Sequence, residues 1–157
     1  MIALWLAACS ALPFLPSVGE AGPDVRGECA AEDAPSTCNP EGPPARDPQS
    51  VLAEPLAICS TQPLTGWFRD GTCRTDTADR GLHTVCAELT DGFLDYTKAR
   101  GNDLSTPRGG FPGLKSGDRW CLCAARWEEA RRAGVAPPVV LEATDDAALR
   151  VIDREVL

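Results

Sequence analysis

Hydrophobic and polar positions are patterned most clearly in the second half of the chain. Three segments there share one design: "HTVCAELTDGFLDYTKARG" from His83, "RWCLCAARWEEARRAG" from Arg119 and "PVVLEATDDAALRVID" from Pro138. Each opens on a short apolar, β-prone run and passes into a stretch with helical spacing of its apolar positions. The pattern predicts strands near residues 83–89, 119–124 and 138–143, and helices near 91–100, 125–133 and 145–153. Thr90 before Asp91, and Thr144 before Asp145 and Asp146, have the chemistry of N-caps followed by acids that favour the helix dipole. Gly101 and Gly134 stand where C-terminal caps belong, and Pro137 and Pro138 stop the second helix from continuing. A rival reading makes residues 118–133 one helix capped by Asp118. The strand is favoured because its neighbours repeat the strand-first order. In a strand Cys121 and Cys123 share a face; in a helix they point nearly opposite ways.

Alternation of strand and helix implies an α+β or α/β single domain, a small sheet built from about three strand–helix units. Two long, polar, turn-rich segments join the units, residues 59–81 and 100–118. Loops of this length are uncommon in compact domains unless they are ordered for function.

The pattern changes before Val51. Residues 10–50 are rich in Pro, Gly, Ala and acids and nearly free of large apolar side chains. Such a stretch buries too little surface to offset the entropy of ordering, so it reads as a disordered tether. Residues 1–9 end in "LAAC", which resembles a bacterial lipobox with Cys9 as the lipid attachment point. This lipoprotein signal peptide lacks the usual basic start and its apolar run is short. Cleavage after Ala21 is a second export reading; a cytoplasmic protein is the alternative if the segment is no signal. The expected location is therefore the cell envelope or periplasm, with the lipid anchor at Cys9 as the contact to the membrane.

The chain has 157 residues and a formal net charge of -8. That acidity argues against nucleic acid as a charge-driven partner. Eight cysteines are many for this length. They read as disulfides in an oxidising compartment and as metal or catalytic thiols in a reducing one.

Several residue sets could carry chemistry. Thiolates of Cys86, Cys121 and Cys123, with the imidazole of His83, the sole histidine, or with Cys59 or Cys73, form a candidate site for zinc or another thiophilic metal. His83 and Cys86, three apart, suit one site only if His83 precedes the strand. Cys59 and Cys73 lie in a loop, as candidate reactive thiols with Arg69 and Asp70 nearby, or as a local disulfide if the domain is exported. Buried cysteines acting as small hydrophobes are the favoured reading for the apolar runs. Arg100, Asn102, Asp103, Ser105 and Arg108 crowd polar groups into one loop, with Lys115 and Arg119 beyond it. They could hold a small anion, but tying down an irregular loop is the favoured role. Trp67, Trp120 and Trp127 read as core anchors.

The stretches "CSTQPLTGWFRDGTC", "GLHTVCAELTDGFL", "RGNDLSTPR", "GFPGLKSGDRWCLCAARW" and "AGVAPPVVLEAT" together resemble an uncharacterised bacterial family, domain of unknown function 2237, from about Val51 to the C-terminus. The resemblance implies no activity. It matches at Cys59, Cys73, His83, Cys86, Cys121 and Cys123, and departs at Thr72, where the family often has a second adjacent cysteine. The "TPRGGFPG" loop also looks shortened beside the family pattern. The combined expectation is an exported, lipid-anchored, cysteine-rich binding or interaction domain with a candidate metal site; a thiol-dependent or redox enzyme is the alternative.

Overall fold

The computed structural model describes residues 47–157. The expectations for Cys9, the signal peptide and the tether up to residue 46 lie outside the described residues. The centre of the domain is a two-stranded antiparallel sheet, β1 (Val85–Glu88) and β2 (Arg119–Leu122). Its register sets Val85 opposite Leu122, Cys86 opposite Cys121, Ala87 opposite Trp120 and Glu88 opposite Arg119. Each strand is followed directly by a helix, α1 (Asp91–Ala99) after β1 and α2 (Ala124–Arg132) after β2. The antiparallel pairing makes the domain mixed α+β.

Sequence dictates these boundaries. The Thr90 hydroxyl accepts a hydrogen bond from the Phe93 amide at 3.3 Å, which satisfies one of the open donors of the first turn of α1. Gly101 and Gly134 take positive φ values of 83° and 75° just past the two helices, as C-terminal caps require. α1 buries Phe93, Leu94 and Thr97, and α2 buries Ala124, Trp127 and Ala130. The Trp127 indole N–H donates to the Pro137 carbonyl at 3.0 Å, so its one polar atom is satisfied in the core.

Two of the three expected strand–helix units are present; the third is replaced by turns. Residues 138–140 do lie along the free edge of β1, where the Glu88 amide donates to the Pro138 carbonyl and the Val140 amide donates to the Cys86 carbonyl. Pro138 has no N–H, so the ladder cannot extend. The chain instead curls into short 3₁₀ helices at Leu141–Ala143, Asp146–Arg150 and Arg154–Val156. Thr144, expected as a cap, plugs the sheet edge: its hydroxyl accepts from the Cys86 amide at 3.1 Å and donates to the Val140 carbonyl at 2.9 Å. It supplies the partner a third strand would have given Cys86. The cap passes to Asp145, whose side chain accepts from the Ala147 amide at 2.9 Å.

Gln49 bridges to Pro55 and Ser50 to Asp145, and Ser50 is buried. Among the described residues, no helix is long and apolar enough to cross a membrane.

Candidate functional site

Side chains alternate across a strand, so the short sheet has two unlike faces. Val85, Ala87, Trp120 and Leu122 join the core formed with Leu89, Phe93, Leu94 and Trp127. Cys86 and Cys121 face the other way and meet Cys59 and Cys73, with Ala143 beside them and Ala57 and Val140 packed at the margin. All four cysteines are buried. Two disulfides join them, Cys59–Cys86 and Cys73–Cys121, with Cα separations of 5.7 and 5.4 Å. The Sγ atoms of Cys59, Cys73 and Cys86 all lie within 4.8 Å of one another, a grouping that could hold a metal ion. The sulfur of Cys121 is bonded to that of Cys73, so the four sulfurs form one cluster.

The loop between Cys59 and Cys73 is built to deliver its two cysteines. The Cys59 and Ser60 amides both donate to the Gly71 carbonyl, and the Gly71 amide donates back to the Thr65 carbonyl. Gly66 has φ 94°, and a Cβ there would fall 2.1 Å from the Thr72 carbonyl oxygen, so only glycine fits this crossing. The buried Thr65 hydroxyl accepts from the Cys121 amide at 2.9 Å, tying the loop to β2. Asp70 accepts from the Thr72 amide and hydroxyl and from Arg74 Nε. Partial burial raises its pKa, but these hydrogen bonds outweigh that and hold the carboxyl below its ordinary value. Arg69 lies over the Trp120 ring, 5.0 Å from its centroid.

Four sequence expectations change here. The local pairing of Cys59 with Cys73 is replaced by two crossed pairings into the sheet, because the loop lays each cysteine against a different strand. Cys121 and Cys123 do not share a face: β2 ends at Leu122, and Cys123 becomes the N-cap of α2, outside the sulfur cluster. His83 does precede β1, yet its ring is engaged elsewhere. His83 Nδ1 lies 2.7 Å from Asp79 Oδ1, and its ring stacks on Trp67 at 5.9 Å between centroids. Trp67 is only partly buried and is therefore no core anchor, whereas Trp120 and Trp127 are.

Asp79 is a site residue that sequence reasoning passes over. Its one signal is a carboxylate four residues before the sole histidine. Its Oδ2 accepts from the His83 amide at 2.8 Å and the Thr75 hydroxyl at 2.9 Å. Burial raises the Asp79 pKa, but the hydrogen bonds from His83 and Thr75 win and the net shift is downward. The arrangement fixes the orientation of the imidazole.

The polar loop from Arg100 to Arg108 is occupied with itself. Asp103 accepts from the amides and hydroxyls of both Ser105 and Thr106, and Arg108 donates to the Asp103 carbonyl. These bonds, the Thr106 hydroxyl first, hold the Asp103 carboxyl well below the usual range. Asn102 donates to Thr97, and Arg100 faces Glu129 and the Tyr96 ring. Beside this loop an open groove of about 650 Å³ runs between Thr61–Leu64 on one side and Ser105, Pro112–Lys115 and Asp118 on the other.

Fold and site together define a small α+β domain whose long loop is covalently bound to a two-stranded sheet through a four-cysteine cluster. The chain belongs to the family described as an uncharacterized protein conserved in bacteria, DUF2237, whose model matches residues 49–157. No curated protein matches the chain.

Proposed function

We propose that the chain is exported, held at the cell envelope through a lipidated Cys9, and that residues 51–157 act there as a binding or interaction domain. The observation that carries this reading is the loop from Cys59 to Cys73, pinned at both ends by disulfides to the sheet. Crosslinks of this kind belong to oxidising compartments. They cut the ordering entropy that a recognition loop would otherwise lose on binding. The pinned segment presents Leu64 and Phe68 to solvent, with exposures of 47% and 38%, and Leu64 also lines the open groove.

Two measurements test the reading. Cys9→Ala moves the protein from the membrane fraction to the soluble one; unchanged fractionation overturns the anchor. A peptide library panned on the oxidised domain yields sequences whose binding is lost in Leu64→Asp and kept in Val156→Asp. A library that yields nothing above background overturns the binding role. A second reading, a thiol-dependent enzyme, draws on the close approach of three sulfurs. One fast-reacting cysteine on thiol titration of the reduced, still folded chain would favour it; in the oxidised chain all four sulfurs are buried and held in disulfides, which works against attack.

A further inference from the structure

We propose that Cys59, Cys73, Cys86 and Cys121 form a tetrathiolate site for zinc, or a divalent ion of similar softness, once both disulfides are reduced. This ligand set differs from the one the sequence suggests, since it leaves out His83 and Cys123 and takes in both loop cysteines. The inference does not depend on export or on the binding role.

Four observations carry it. The first is spacing: three of the sulfurs lie within 4.8 Å of one another and the fourth is bonded to one of them. A tetrahedral zinc site with Zn–S bonds of about 2.3 Å needs sulfurs about 3.8 Å apart. Reduction lets the bonded sulfurs part, and the site forms when side-chain rotation brings all four to that separation. The second is the strand register. Cys86 gives its amide to Thr144 and its carbonyl to Val140, and Cys121 gives its amide to Thr65, so the two strand cysteines face each other without bonding to each other. That is the kind of cross-strand pair whose side chains lie closest. The third is backbone support: the amides of Cys59, Cys86 and Cys121 are held by Gly71, Thr144 and Thr65, bonds that do not involve the sulfurs. The fourth is ligand chemistry. The cluster is sulfur set in Ala143, Ala57 and Val140, and such a set selects a soft ion over magnesium or calcium.

The chemistry balances with a dithiol as reductant. Each protein disulfide accepts two electrons and two protons from one dithiol, which closes to its own disulfide. Two dithiols therefore free the four thiols. Metal binding then forms four metal–sulfur bonds and releases the thiol protons to solvent. In the reverse direction two small-molecule disulfides each accept two electrons from a pair of the four thiolates and leave as thiols, the two protein disulfides re-form and the ion is released, so the cluster exchanges two covalent staples for one metal staple.

Cobalt(II) titration of the full chain tests this, with reduction by a phosphine under inert gas. The oxidised chain takes up no cobalt. The reduced chain takes up one ion, with the charge-transfer and visible bands of a tetrahedral tetrathiolate, and zinc bleaches them. Cys59→Ser and Cys73→Ser lose part of the charge-transfer intensity; His83→Ala and Cys123→Ser keep all of it. X-ray absorption of the zinc-loaded wild type, which needs no variant to fold, finds a shell of sulfur alone at about 2.3 Å. A reduced chain that takes no cobalt, whether folded or unfolded, overturns the proposal. A nitrogen ligand in the shell, or intensity lost in His83→Ala and kept in Cys59→Ser, overturns it as well.

Discussion

The two faces of the β1–β2 sheet are held by different physics. On one, Val85, Ala87, Trp120 and Leu122 pack against the helices, and cohesion comes from apolar surface removed from water. On the other, Cys86 and Cys121 are crosslinked to the loop, and cohesion is covalent. The helix face is indifferent to redox conditions and graded in its response to substitution. The cysteine face is indifferent to small changes in packing but is undone by two electrons per bridge. The comparison teaches that the loop from Cys59 to Cys73 owes its position to the sheet it is bonded to and little to a core of its own.

Substitutions can break this contrast, beginning with the helix face. Phe93 is 1% exposed, and Phe93→Ala should lower the unfolding free energy by about 3–5 kcal/mol in chemical denaturation. The loss should be the same with and without reductant. Removing one bridge as the Cys73→Ala, Cys121→Ala pair should cost about 2–4 kcal/mol, read the same way, because it frees a span of 48 residues in the unfolded chain. That cost should vanish under reductant, where the wild type has lost the bridge too; persistence would show that packing, and not the bond, holds the cysteine face.

Thr144 joins the two regimes, since its hydroxyl satisfies the Cys86 amide behind the disulfide. Thr144→Val should cost about 1–3 kcal/mol by leaving that buried amide open, with faster hydrogen exchange at Cys86 as the specific sign. The smallest effect belongs to Asp79, outside both faces. Its folded pKa is lowered, so its contribution to stability is present above the ordinary carboxylate pKa of about 4 and is lost as pH falls below it. The wild type should lose stability more steeply than Asp79→Asn in that acid range, and parallel curves would remove Asp79 from the account.

Local rules made the helix face legible in advance. Thr90, Gly101 and Gly134 marked helix ends, and the period of apolar positions placed β1, α1, β2 and α2 within a few residues. The third unit was misread because its signals conflict: "PVV" is β-prone, but Pro138 cannot donate to a ladder, and Thr144 is drawn into the sheet edge instead of capping a helix. The cysteine face was less legible for a different reason. Its pairings span 27 and 48 residues and depend on how the loop folds through Thr65, Gly66 and Gly71, which no local spacing encodes. Cys123 misses the shared face by a single residue, because β2 ends one position before the alternation reaches it.

The most direct test of the four-cysteine cluster is non-reducing peptide mapping of the full chain by mass spectrometry. Crosslinked peptides joining Cys59 to Cys86 and Cys73 to Cys121 are the predicted result. A peptide joining Cys59 to Cys73, or either loop cysteine bonded to Cys123, would contradict it.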